Sequence, residues 1–247
     1  MIDFVEEAMA CRDIQELWDL HCSRLIALGF PRLMYGSTKS RDGKSLGAPE
    51  DALMLTNHGA DYVRGFVGGG LFSKAPMTRW CMDNTGACSW RWVDEQDAAG
   101  RLSPEERRVH QFSRSHGLVA GYTISFVDLS QRTKAAMSLG APRGLTHDDA
   151  EAAWARHGRE VLAICNVAHL RYASLPHHGA RRPLTPRQRE VLEWIGQGKT
   201  SGEAANAMGL TVATVEKHLR LAREALGVDT TPQAVFKAGV QNQIYVL

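Results

Sequence analysis

The stretch that decides the fold is residues 184–228, LTPRQREVLEWIGQGKTSGEAANAMGLTVATVEKHLRLAREALGV, because it contains the start and stop signals of three successive helices. Thr185-Pro186-Arg187-Gln188 has the residues of a capping box with proline in the first turn, and Gly198 is suited to end the helix that follows. A second helix is predicted from about Ser201 to Met208, where Gly209 ends it. The pattern therefore predicts an all-helical C-terminal region.

The third helix of this region is the candidate for contact with DNA. It begins after Thr211, a suitable N-cap, and ends at Gly227, while Thr231-Pro232 opens a fourth helix. The second and third helices form a helix-turn-helix unit, in which the later helix enters the major groove and reads base edges. The residues expected to contact DNA are Thr200, Thr211, Thr214, Glu216, Lys217 and Arg220. The alternative for the same pattern is a small helical dimerisation domain whose charged helix faces solvent.

Four parts of this region carry a resemblance to a known family: Leu184–Leu192, Gly198–Thr200, Thr214–Leu219 and Leu226–Val228. Together they resemble the C-terminal domain of LuxR-type transcription regulators. The resemblance implies that residues 214–220 lie on the recognition helix, with Arg220 where the family often has a DNA-contacting cation. It also places Glu216 where some members have a base-reading arginine. Since a carboxylate accepts from a cytosine amino group but repels phosphate, we expect a different operator preference.

Composition predicts a two-domain intracellular protein. The 247 residues are 44% hydrophobic, yet they contain no apolar run long enough for a membrane span and begin with an acidic segment unlike a secretory signal. The five cysteines form no C-x-x-C pair, so we expect a reducing cytoplasm and neither a metal site nor another cofactor. We expect a ligand-binding or dimerisation domain at 1–173, an exposed linker at 174–183 and a DNA-binding domain at 184–247.

Charge is divided unevenly between these parts. From residue 180 onward there are nine Lys and Arg against six Asp and Glu, so the tail carries +3 and the remainder −1. A basic tail fits double-stranded DNA as a partner. Because the excess is small, we expect a homodimer that gathers more phosphate contacts and reads an inverted-repeat operator.

The N-terminal part alternates helix and strand signals, which together predict an α+β fold. We expect an α-β-α sandwich with a roughly five-stranded antiparallel sheet, followed by the all-α, four-helix C-terminal domain. The predicted strands are 32–38, 53–56, 119–127 and 133–139. The predicted helices are 14–28, 61–66, 76–82, 104–116 and 147–172.

The order of these elements also resembles the autoinducer-binding domain of the same family, though with fewer matching motifs. That domain holds an acyl-homoserine lactone between the sheet and one helical layer. The resemblance implies five ligand-facing residues: Tyr62, Phe66, Ala75, Trp90 and Ser138. Ala75-Pro76 stands where the family has Asp-Pro, whose carboxylate accepts the amide N–H of the signal. Loss of that acceptor costs about 1–3 kcal/mol unless Ser73, Asp83 or a water replaces it, so the ligand is either a lactone or another small apolar signal.

The sequence also bears on functions other than ligand control. The N-terminal domain can instead serve only dimerisation or protein interaction, with its aromatic residues filling the core, which would make the protein a ligand-independent regulator. An enzyme is not expected, because the sequence has no nucleophile elbow, zinc-protease motif, phosphate loop or paired-carboxylate signature. A phosphorylated receiver domain is also not expected, since the first 80 residues lack its βα alternation and acidic cluster.

Overall fold

The computed structural model describes residues 1–39, 41, 46–47, 51–127, 130–177 and 182–244. Contacts between Cα atoms divide the chain into two compact units, Met1–Ala173 and Ser174–Leu247. Across the described ranges, the helices are all too short or too polar to cross a bilayer.

The first unit is built on a five-stranded antiparallel sheet, which confirms the predicted fold class. Its strands are β1 (Arg32–Thr38), β2 (Leu53–Thr56), β3 (Gly86–Ser89), β4 (Gly121–Ser125) and β5 (Lys134–Gly140). They are arranged in the order β2-β1-β5-β4-β3, and every neighbouring pair is antiparallel. The central position of β5 explains why most of its residues are buried.

Within the described residues, the helices that accompany the sheet are α1 (Ile2–Ala10), α2 (Ile14–Ala27), α3 (Ala60–Val63), α4 (Pro76–Asp83), α5 (Arg91–Ala98), α6 (Pro104–Ser115) and α7 (His147–Ser174). A π-helical turn at Arg64–Gly68 continues α3, and a 3-10 turn at Leu71–Lys74 precedes α4. The predicted capping box of α6 is formed, since Ser103 and Glu106 each accept a backbone N–H from the other.

The register of β1 against β5 separates the two faces of the sheet. Tyr35 pairs with Met137 on one face, and Met34 pairs with Ser138 on the other, because alternate residues of a strand point to opposite sides. Helix α7 lies against the first face, where its Trp154 ring stacks on Tyr122 at 4.1 Å. That face is thus an aromatic core, and the opposite face is available for a cavity.

In the part of the second unit that the structure describes, the helices are α8 (Pro186–Gly196), α9 (Ser201–Met208), α10 (Val212–Leu226) and α11 (Thr231–Val240). Gly209 and Gly227 adopt the left-handed conformation that ends α9 and α10, as predicted. The N-cap of α11 is Thr230 rather than the predicted Thr231, because Gln233 completes a capping box with Thr230. The helices enclose one apolar core: Leu184, Val191, Leu192, Ala204, Ala205, Val215, Leu219, Ala222, Leu226, Ala234, Ala238 and Ile244.

Three elements of the first unit were not predicted: α1, β3 and α5. Strand β3 is the sequence Gly-Ala-Cys-Ser, which has none of the β-branched or aromatic residues that favour strands, and it exists through its pairing with β4. Strand β4 is also shorter than the predicted 119–127. The existence of β3 and the length of β4 both depend on pairing between strands, which the local sequence pattern does not predict.

The predicted linker is described only in part, since residues 178–181 lie outside the described residues. Ser174 is the last residue of α7, and Leu175 is buried. The backbone N–H of His177 donates to the carbonyl oxygen of Gln241 at 2.9 Å, and Asn242 Nδ2 donates to the carbonyl oxygen of Leu175 at 3.2 Å. Ser174 and Pro176 are exposed, whereas Leu175 is buried and His177 is half-buried, so the extent of an exposed linker stays a prediction.

Candidate functional site

A cavity of about 210 Å³ lies in the first unit on the sheet face opposite α7. Residues of β1, β2 and β5 form its floor, and residues of α3, α4 and α6 form its walls. The five residues predicted to face a ligand all line it: Tyr62, Phe66, Ala75, Trp90 and Ser138. The fold thus brings together residues from four separate segments, although their role in binding stays a prediction.

Tyr62 and Phe66 form an aromatic wall of this cavity. Their rings stack with centroids 5.0 Å apart, and the Tyr62 hydroxyl lies 3.5 Å from Ser113 Oγ of α6. Gly65 lets α6 approach this closely, because a Cβ at this position would lie 2.5 Å from the Phe112 ring. Burial raises the pKa of Tyr62 to about 12, so its phenol remains a hydrogen-bond donor at physiological pH.

Trp90 lines the cavity, and its indole N–H is engaged within the protein. Trp90 Nε1 donates to Thr123 Oγ1 at 2.9 Å. Thr123 pairs across β4 and β5 with Ser138, so the two hydroxyls are neighbours on the sheet. The sheet side of the cavity therefore carries a small polar cluster.

Ala75 is buried in the cavity wall and is the N-cap of α4, where its side chain accepts no hydrogen bond. The side chains expected to replace the missing acceptor do not do so. Ser73 is exposed and donates its hydroxyl proton to the carbonyl oxygen of Gly70 at 2.9 Å, and Asp83 is exposed at the end of α4. Neither residue is among the described residues that line the cavity.

Several lining residues were missed by the sequence analysis. Burial lowers the pKa of His58 to about 4, with a smaller contribution from Arg32, so the imidazole beside Tyr62 is neutral. His110 Nε2 is 2.9 Å from Asp94 Oδ1. The lining also includes the thioether side chains of Met34, Met54, Met77 and Met82, which are flexible enough to adapt to ligand shape. The alternation of side chains along β1 would have indicated that Met34 faces the cavity. The positions of the other missed residues depend on how the helices pack.

The second candidate site is the exposed face of α10. Thr211, Glu216, Lys217 and Arg220 are exposed there, and Thr214 is half-buried. Thr211 is the N-cap of the helix, since its Oγ1 accepts the backbone N–H of Thr214 at 3.2 Å. These residues and Thr200 share one helix-turn-helix unit, as predicted, while contact with DNA remains a proposal.

Hydrogen bonds within the unit hold several of these side chains. Ser201 Oγ donates to Glu216 Oε1 at 2.5 Å, which joins the start of α9 to α10. Thr200 caps α9 through the backbone N–H of Glu203. Arg220 pairs with Glu224 at 2.5 Å, but both side chains are more than half exposed, so the pair holds the guanidinium only weakly.

Comparison with known proteins agrees with this arrangement. Residues 13–172 match the family described as autoinducer binding domain, and residues 182–238 match bacterial regulatory proteins, luxR family. The quorum sensing-dependent transcriptional regulator RpaR of Rhodopseudomonas palustris is 35% identical over 215 residues, which cover 85% of this chain and 74% of RpaR. The transcriptional activator AnoR of Acinetobacter nosocomialis is 24% identical over 241 residues, 96% of this chain and 95% of AnoR.

A solved structure is similar in fold to the whole chain. SdiA in complex with octanoyl-rac-glycerol superimposes with a TM-score of 0.53 and 16% identity, over 96% of this chain and 92% of SdiA. At this identity the likeness concerns the fold alone.

Proposed function

Because the chain belongs to the luxR family of bacterial regulatory proteins and carries that family's autoinducer-binding domain, we propose that a small amphiphilic signal in the cavity controls how its helix-turn-helix unit binds DNA. The observation that carries this proposal is the convergence of Tyr62, Phe66, Ala75, Trp90 and Ser138 on one cavity. If these aromatic side chains served only to pack the core, they would fill the cavity. Instead they line its walls and leave it open.

The cavity suits a molecule with an acyl chain and an uncharged polar head. Methionine and aromatic side chains from several elements line it, and its polar groups include two pairs of hydroxyls. One is Tyr62 with Ser113, and the other is Thr123 with Ser138. An acyl-homoserine lactone has this shape, and so does an acylglycerol such as the one bound to SdiA.

For the second unit, we propose that α10 lies in the major groove. Lys217 and Arg220 are exposed cations for phosphate or guanine, and Glu216 is a candidate acceptor for a cytosine amino group. Thr200 and Thr211 stand at the N-termini of α9 and α10, where backbone N–H groups favour phosphate. A homodimer would present two such helices to half-sites about 34 Å apart.

Selection of bound sequences from random duplexes by the purified full-length chain tests both halves of this proposal. We expect an inverted repeat to be enriched, and its affinity to change when octanoyl-homoserine lactone or octanoylglycerol is added. Enrichment of no sequence would refute the DNA-reading role. Enrichment with the same affinity at saturating concentrations of either compound would favour ligand-independent regulation instead.

A further inference from the structure

Thr78, in the first turn of α4, carries a hydroxyl group whose proton is already committed. Its Oγ1 lies 2.7 Å from the carbonyl oxygen of Phe72, and because a carbonyl can only accept, the hydroxyl donates there. Among the described residues, none donates to this Oγ1 in return. Thr78 lines the cavity beside the buried Ala75. Its oxygen is therefore placed to accept a hydrogen bond from a ligand.

Thr123, on the sheet side of the cavity, has the opposite polarity. Its Oγ1 accepts the indole N–H of Trp90 at 2.9 Å, since an indole nitrogen can only donate. Within the described part of the chain, the proton of Thr123 has no acceptor, although the residue is only 5% exposed and lines the cavity. Because a buried donor without a partner is costly, this proton is placed to bind a ligand oxygen.

We propose that Thr78 Oγ1 accepts the N–H of a secondary amide in the ligand, which makes Thr78 a residue that determines ligand specificity. This role rests on the proposed function, since it concerns the signal that the same cavity takes. A secondary amide carries both a donor and a carbonyl acceptor, and so matches the opposite polarities of Thr78 and Thr123. An ester of the same shape has no donor, and its oxygen would face the lone pairs of Thr78.

His110 of α6 is the alternative acceptor in this cavity. Its Nε2 lies 2.9 Å from Oδ1 of Asp94, and because a carboxylate only accepts, Nε2 carries the proton. Burial lowers the pKa of His110, so the ring is neutral at physiological pH and Nδ1 is left as an acceptor. Thr78 Oγ1 and His110 Nδ1 could receive the same donor, and variants of the two residues separate them.

Two matched probes isolate the amide N–H. N-octanoyl-homoserine lactone and 2-octanoyloxy-γ-butyrolactone differ only in that an ester oxygen replaces this group. Titration calorimetry on the full-length chain gives the ratio of their dissociation constants. We expect the wild type to bind the amide about tenfold more tightly than the ester, because the ester leaves Thr78 without a donor.

Thr78→Val removes the hydroxyl and nearly keeps the shape of the side chain. It should weaken binding of the amide and leave binding of the ester nearly unchanged, so that the preference for the amide falls by about tenfold. Thr78→Ser keeps the hydroxyl and should keep the preference. Thr123→Val is the matched control, because it removes a donor that serves the carbonyl of either probe, and it should weaken both by a similar factor.

If the wild type binds the ester as tightly as the amide, this role for Thr78 is overturned, and that result does not depend on the folding of any variant. The role is also overturned if Thr78→Val folds and keeps the wild-type ratio, and loss of the ratio in His110→Phe would then place the acceptor on α6. In each of these cases ligand binding itself stands. If the wild type binds neither probe, the proposed function fails together with this role.

Discussion

At the scale of single residues, a buried histidine connects two helices of the N-terminal unit. His21 of α2 is fully buried, and its Nδ1 lies 3.1 Å from the hydroxyl of Tyr172 in α7. The rings of Phe4 and Trp18 lie beside it. Burial lowers the pKa of His21 to about 3, so the imidazole stays neutral in the folded protein.

This histidine should make stability depend on pH in the mildly acidic range. Its folded pKa of about 3 lies below its unfolded value of about 6.5, so the unfolded chain binds the proton more strongly between these values. The contribution of His21 is complete above pH 6.5 and is lost as the pH falls toward 3, which amounts to about 1.4 kcal/mol between pH 7.5 and 5.5.

Urea unfolding of the wild type and His21→Phe at these two pH values measures this effect. The free energy of unfolding of the variant should fall by about 1.4 kcal/mol less than that of the wild type over the interval. The hydrogen bond to Tyr172 is lost at both pH values, so it cancels. Equal pH dependence in the two proteins would contradict the assignment.

Glu216 is the residue whose chemistry predicts operator preference. Its carboxylate is held by Ser201 through one oxygen, which leaves the other able to accept from a base. We expect Glu216→Gln to relax the preference for cytosine at one position of each half-site and to favour adenine there, with discrimination changed by about 1–3 kcal/mol. Binding to duplexes substituted at that position measures it.

Ser201→Ala is the control for this prediction, because it removes the hydrogen bond and leaves the carboxylate. It should keep the base preference and lower the affinity. Identical base preferences in Glu216→Gln and the wild type would show that the carboxylate does not read a base.

At the scale of elements, what could be predicted depended on whether the signal is local. The capping boxes at Thr185 and Ser103 lie within four residues, and both are formed. Strand β3 depends on its pairing with β4 and was not predicted, while the helix predicted at 61–66 continues as a π-helical turn at Arg64–Gly68. The cavity follows the same rule. Five lining residues came from a family resemblance, whereas Thr123, which accepts the Trp90 indole N–H, required the folded sheet.

The N-cap of α9 offers a test that separates helix capping from DNA contact. Thr200→Ala removes the cap and should destabilise the C-terminal unit by about 1 kcal/mol. Thr200→Asp keeps a good cap but adds a negative charge where we propose that phosphate lies. We therefore expect Thr200→Asp to retain the thermal stability of the wild type and to lose at least tenfold in operator affinity.

Thr200→Ser is the control for this comparison, because it keeps the hydroxyl that caps α9 and adds no charge. It should resemble the wild type in melting temperature and in affinity. If Thr200→Asp bound the operator as tightly as Thr200→Ser, the N-terminus of α9 would not face the phosphate backbone.

At the scale of the whole molecule, the net charge of the C-terminal segment bears on how many copies of the chain bind one operator. The segment from residue 180 onward has a net charge of only +3, and two of its cations, Lys217 and Arg220, lie on the exposed face of α10. Each phosphate contact contributes about 0.9 to the slope of log affinity against log salt concentration. One copy can therefore gain only a shallow slope from these two residues, and a homodimer would double it.

The double variant Lys217→Ala/Arg220→Ala measures how many phosphate contacts these two residues make in the complex. If two copies bind one operator, four contacts are lost and the slope should fall by about 3.6, whereas a single bound copy would lose about 1.8. Titration of a labelled operator at several salt concentrations measures the slope. Arg187→Ala is the control, because it removes an exposed arginine of α8 that pairs with Glu190 and should change the slope little. A change near 1.8 would show that only two of the four expected phosphate contacts are made, and an unchanged slope would exclude these residues from contact with phosphate.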